Sequence, residues 1–104
     1  MVNVSSSPGS LARVTDPQRF ESTRSFPAYS SSRSAVNMLT VQYAKALPQL
    51  RFDVAHPGCT RTHLNGHKGT KTVQEGAEII LRMATIGPDG PTGGHFAADG
   101  PVPW

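Results

Sequence analysis

The chain has 104 residues, 37% hydrophobic and 7% aromatic, with ten Lys and Arg against seven Asp and Glu. That length suits one small domain. The basic residues are scattered, without a run or interleaved aromatics, which argues against a nucleic-acid arm despite a pI near 9.5. Cys59 is the single cysteine, so no intramolecular disulfide can form, and a free thiol is in keeping with a cytoplasmic setting. No apolar stretch reaches the ~20 residues a membrane-spanning helix needs. Residues 1–5 show neither the basic start nor the apolar core of a secretory leader.

Met1 to Val4 is short and β-prone and runs into Ser5-Ser6-Ser7-Pro8-Gly9, which predicts a strand followed by a loop. Residues 10–27 are polar and irregular, a loop with a helical turn near 16–22. A helix is predicted over residues 28–47, where Val36, Leu39, Tyr43 and Leu47 recur at steps of three or four and Pro48 ends the run. Tyr29 and Arg33 fall one turn apart on one side of it. Leu50, Phe52 and Val54 alternate with polar neighbours and lead into His56-Pro57-Gly58, a short strand closed by a turn. Residues 59–71 read as a polar loop.

Thr72-Val73-Gln74-Glu75 has the form of a capping box. The helix it opens has an apolar stripe of Val73, Ala77, Ile80, Leu81 and Ala84 and ends at Gly87-Pro88. Both helical stripes are expected to face the core. Gly90 to Gly94 reads as a turn, His95-Phe96-Ala97 as a last strand, and Pro101 to Trp104 as an extended tail. Strands alternating with helices predict an α/β chain of about three parallel strands and two main helices, joined by right-handed crossovers.

In open α/β sheets, ligands bind beyond the carboxyl ends of the strands. Two polar, Gly-containing segments fall there, Ser5 to Gly9 and Pro57 to Thr62, and the helix carrying Tyr29 and Arg33 starts between them in the sequence. His63 and His67 are four apart, as in helical metal pairs. They have no carboxylate or thiol at ligand spacing, so no metal site is expected. His56 and His95 read as structural or surface residues, and Cys59 lacks an evident base.

Val2-Asn3-Val4-Ser5-Ser6 with Gly9, Tyr29-Ser30-Ser31-Ser32-Arg33, and Pro57-Gly58 followed by Thr62 together resemble three motifs of the short-chain dehydrogenase/reductase family. These are its N-[IV]-S-S-x-x-G segment, its Y-x-x-x-K motif and its P-G-x-x-x-T cofactor loop. Glu75-Gly76-Ala77 and Gly90-Pro91-Thr92-Gly93-Gly94 are similar to the family's C-terminal region. The resemblance implies the C-terminal, catalytic half of a Rossmann-type doubly wound parallel sheet, incomplete over residues 1–104 and without the N-terminal dinucleotide-binding half.

It further implies hydride transfer between NAD or NADP and a small-molecule carbonyl or alcohol. Ser6 would hold the substrate oxygen, Tyr29 would act as general acid or base, and Arg33 would stand in the place of the family's lysine. Pro57, Gly58, Thr60 and Thr62, with Tyr29 and Arg33, would contact the cofactor. Arginine keeps the charge of lysine but spreads it over a planar fork. The family's Gly-rich pyrophosphate turn has no counterpart in these residues. The other expectation is therefore a non-catalytic remnant that binds no NAD(P) by itself. Nucleic-acid and membrane partners are not expected, whereas self-association through an exposed sheet edge is.

Overall fold

A computed structural model describes residues 1–104. Its sheet has four strands in the order β1-β2-β3-β4: β1 Val2–Val4, β2 Asp53–Ala55, β3 His95–Ala97 and β4 Gly100–Pro101. The first three are parallel, and β4 folds back antiparallel on β3, pairing Ala97 with Gly100. The sequence-based count of about three strands thus lacked the closing hairpin strand. Gly100 takes a φ of +127°, which a side chain rarely allows, and this permits so short a return.

Three helices accompany the sheet: α1 Leu11–Val14, α2 Pro27–Ala46 and α3 Val73–Ala84. Pro27 occupies the first turn of α2, where its missing N–H costs nothing. In α3 the capping box forms as expected: Thr72 accepts from the Glu75 amide at 3.1 Å, and Glu75 accepts from the Thr72 amide at 2.7 Å. Residues 10–27 are more ordered than a loop. They hold α1 and a 3-10 turn at Phe20–Thr23, with Ser10 capping α1 through the Arg13 amide.

The two long helices lie on opposite faces of the sheet. Ala55, Ile79 and Met83 form a buried cluster against which Val2 and Phe96 pack, so α3 covers the face carrying Val2, Ala55 and Phe96. Side chains alternate along a strand, so Asn3 points the other way, and its amide donates to Thr40 of α2 at 2.9 Å. The strands β1, β2 and β3 step in one direction. Two crossovers that step alike but cover opposite faces have opposite hands, so only one of them follows the usual right-handed rule.

The expectation that both stripes are core needs correction. On α3 the buried residues are Gly76, Ile79 and Met83, while Val73 and Leu81 are exposed. The period is helical, but the face is rotated from the one predicted. Apolar residues occur on both faces, and contact with the sheet selects between them. On α2 the buried residues are the polar Asn37 and Thr40. Val36, Leu39, Tyr43 and Leu47 instead rim an open apolar groove of about 410 Å³ with Met1, Leu50 and Phe52. No helix of the chain is long and apolar enough to cross a membrane.

Candidate active site

β1 and β2 end side by side, which brings two of the predicted segments together. The Ser5 amide donates to the Ala55 carbonyl at 3.0 Å, extending the ladder by one residue into Ser5-Ser6. Ser7–Gly9 then forms a single 3-10 turn against α2. The contact is close: a Cβ on Gly9 would lie 2.6 Å from Arg33 Cβ. Asn37 and Ser34 both donate to the Gly9 carbonyl, at 3.1 and 2.8 Å, and the Ser5 hydroxyl donates to the Arg33 carbonyl at 3.3 Å. The serine loop is therefore clamped to the first half of α2.

Tyr29 is half exposed, and the Arg33 guanidinium sits 5.4 Å from its ring centroid. Arg33 Nε donates to Ser32 Oγ at 3.3 Å. Neither the Ser6 hydroxyl nor the Tyr29 hydroxyl is engaged with another group of the chain, so both are free to meet a ligand. The cation lies over the tyrosine ring, as expected for residues one turn apart with a planar guanidinium.

The third segment leaves β2 at His56. Gly58 has φ +83° and donates its amide to His56 Nδ1 at 3.3 Å. A Cβ there would meet Lys71 Cδ at 3.0 Å, so the turn is kept bare by conformation and by contact. Thr60 donates to the Gly58 carbonyl at 3.3 Å and is wedged against Gly76 of α3, where a Cβ would lie 2.4 Å from Thr60 Oγ1. Thr62 opens a second capping box over His63–Asn65. Asn65 closes it, accepting from the Thr62 amide at 3.2 Å and donating to the Thr60 carbonyl at 2.8 Å. The stretch read as a loop is thus tied at both ends, with Thr60 bridged to Lys71.

Beside this turn is a cleft of about 350 Å³ whose lining includes Arg13, His56, Cys59, Lys71 and Asp99. Burial first, and then the charges of Arg13 and Lys71, hold the His56 imidazole down to about 4. His95 is 2% exposed and likewise held to about 4, by burial first and then by His56 and Arg13. Neither ring nitrogen of His95 has a partner, and its ring stacks on Trp104 at 5.4 Å. Of its two expected descriptions, structural and surface, the first holds. The C-terminal tail is also structural: Pro103 accepts from Ser10 Oγ at 2.6 Å, and Trp104 accepts from the Ala12 amide at 2.9 Å.

Sequence reasoning missed Ser5, Asn37, Asn65 and Lys71. Asn37 lies two turns from Tyr29 on α2, and a polar residue at that spacing beside an apolar stripe was the available signal. Lys71 could not be found, because only the Thr60–Lys71 bridge returns it to Gly58.

An α/β sheet whose serine loop, tyrosine helix and Pro-Gly turn meet at the carboxyl ends of parallel strands belongs to the Rossmann-type class. Comparison with known proteins narrows this. No protein-family model matches the chain. It is 37% identical over 91 residues to the short-chain dehydrogenase anuI of Penicillium roqueforti, covering 84% of this chain and 36% of that protein. The structure of salutaridine reductase from Papaver somniferum superposes with a TM-score of 0.75 at 28% identity, over 93% of this chain and 44% of that one. The carbonyl reductase Sniffer of D. melanogaster gives 0.75 at 26%, over 99% and 40%. The chain belongs to the short-chain dehydrogenase/reductase family and spans less than half the length of these relatives.

Proposed function

We propose that these residues are the catalytic half of an NAD(P)-dependent reductase or dehydrogenase acting on a small-molecule carbonyl or alcohol in the cytoplasm. The observation that carries the reading is the Arg33 guanidinium 5.4 Å from the Tyr29 ring, beside a serine loop clamped to the same helix. The phenol is the group of this arrangement that can give or take a proton, and the guanidinium over its ring helps to hold it in place. In reduction the Tyr29 hydroxyl gives its proton to the carbonyl oxygen while the Ser6 hydroxyl donates a hydrogen bond to that oxygen. In oxidation the proton returns to Tyr29.

The residues present suit the nicotinamide end of a dinucleotide. Gly58 carries no side chain, Thr60 braces the turn by donating to the Gly58 carbonyl, and Arg33 offers several donors for a ribose hydroxyl. The cofactor, NAD or NADP, supplies or accepts the hydride. Residues 1–104 contain no Gly-rich turn to hold its pyrophosphate, so that task falls to a dinucleotide-binding half outside them.

The test is a chain carrying these residues behind a dinucleotide-binding half of the family, assayed by NAD(P)H oxidation against a panel of ketones and enones. Tyr29→Phe should abolish turnover and leave cofactor binding largely intact. An undiminished rate would refute the role of Tyr29. Arg33→Lys should raise cofactor affinity or rate, since ammonium is the more compact cation.

The second reading, that the 104 residues bind no NAD(P) by themselves, draws support from the open groove on α2 and the unpaired outer edge of β1. Calorimetry with NADPH should give no heat of binding to the isolated chain. Sedimentation should show self-association through that edge.

A further inference from the structure

The loop that follows Thr62 carries a feature the catalytic reading does not use. His63 and His67 are both exposed, and His67 Nε2 lies 3.3 Å from His63 Nδ1. Their rings meet edge to face, with centroids 4.6 Å apart at 75°. The backbone presents them in a fixed way. His63 begins a 3-10 turn capped by Thr62 and Asn65, Gly66 takes φ +60°, and the His67 amide donates to the Thr62 carbonyl at 2.9 Å. His67, with φ +61°, is the only non-glycine residue of the chain in the left-handed region. That conformation costs ~1 kcal/mol or more in an L-residue and persists only where the surroundings impose it. Here it turns the second imidazole back onto the first.

We propose that His63 and His67 form a two-histidine chelating site for a divalent transition metal. Two metal–nitrogen bonds of ~2.05 Å spanning the observed 3.3 Å enclose an angle of ~107°, close to tetrahedral. The metal displaces the contact between the two ring nitrogens, and both exposed rings rotate so that their lone pairs converge on it. No carboxylate or thiol joins them in a group of three, so water completes the coordination. An all-imidazole protein donor set selects Cu²⁺, Ni²⁺ or Zn²⁺ over Mg²⁺ and Ca²⁺, which require oxygen ligands. The neighbouring cations Arg61 and Lys68 further disfavour hard ions held by charge alone. His56 and His95 do not compete, because one is half-buried and the other enclosed.

The experiment is titration of the 104-residue chain with Cu²⁺, followed by calorimetry and by electron paramagnetic resonance, with Zn²⁺ and Mg²⁺ run in parallel. One Cu²⁺ per chain with nitrogen hyperfine structure, weaker Zn²⁺ uptake and no Mg²⁺ uptake are expected. His63→Ala and His67→Ala should each weaken Cu²⁺ binding by at least ~10-fold, and the double variant should add little. Cys59→Ser should leave it unchanged. Absence of Cu²⁺ binding, binding that survives the double histidine variant, or binding lost in Cys59→Ser would each overturn the proposal. Both histidines are exposed, so their removal leaves the fold intact, and circular dichroism checks this.

Discussion

The two faces of this sheet are built from different materials. The α3 face is largely apolar: Val2, Ala55 and Phe96 of the strands meet Ile79 and Met83 of the helix, with buried Asp53 accepting from the Gly94 amide. The α2 face mixes polar with apolar groups. Val54 and Ala97 are enclosed there and Phe52 is buried against Tyr43, while Asn3 bonds Thr40, Asn37 bonds the Gly9 carbonyl, and the His95 ring stacks on Trp104 without a hydrogen bond. The apolar stripe of α2 borders an open groove. Burial stabilises in proportion to apolar area removed from water, whereas an enclosed polar group costs free energy unless paired. The comparison teaches that both faces supply cohesion and that the α2 face adds position, fixing the serine loop against the helix of Tyr29 and Arg33.

The widest contrast comes from truncating one side chain on each helix. Ile79→Ala, from the closed face, should cost about 3 kcal/mol of stability in urea unfolding. An equal response to truncation of the groove residue Leu39 would break the comparison.

Acid should act through the polar face. His56 and His95 have folded pKa values held to about 4, against about 6.5 when unfolded. Between those values the unfolded chain binds protons that the folded chain refuses, so stability falls as pH drops from 6.5 to about 4. It is fully present above 6.5, and these groups change nothing more below 4. The loss should approach ~3 kcal/mol for enclosed His95 and be smaller for half-buried His56. His95→Gln should flatten the profile, and Trp104 fluorescence can follow it.

Gly76→Ala probes the seam between α3 and the Pro-Gly loop. Its Cβ would meet Thr60 Oγ1 at 2.4 Å, so about 2 kcal/mol should be lost, as for an overpacked core. In a complete enzyme, cofactor affinity should fall with it. Thr72→Ala removes one half of the α3 capping box and should cost ~1 kcal/mol by thermal unfolding. Leu39→Ala, at a residue 55% exposed, should change stability by less than ~0.5 kcal/mol.

Much of this was legible in the sequence. Tyr29 and Arg33 were placed on one helix side by spacing alone, because four residues make about one turn whatever surrounds them. Thr72 and Glu75 announced the start of α3 for the same local reason. The Pro57-Gly58 turn followed from residues that admit few other conformations. The buried faces were not legible. On α3 the apolar residues offer two overlapping stripes, and only the sheet chose Gly76, Ile79 and Met83. On α2 the apolar stripe was correctly periodic but stays partly exposed, with Tyr43 stacked on buried Phe52, while Asn37 and Thr40 were buried by partners far away in the chain.

The sequence by itself determined where the two long helices and the three parallel strands lie, and which segments carry a hydroxyl, a phenol and a cation. Those properties depend on neighbours a few residues away. Tertiary structure alone decided that α2 and α3 lie on opposite faces, that Lys71 returns to Gly58, and that His63 and His67 bring their ring nitrogens together. Opposite faces follow from long-range burial, and the return of Lys71 from a loop closed by hydrogen bonds. The histidine pair needs His67 in the left-handed region, which the capped turn and its bond to the Thr62 carbonyl impose.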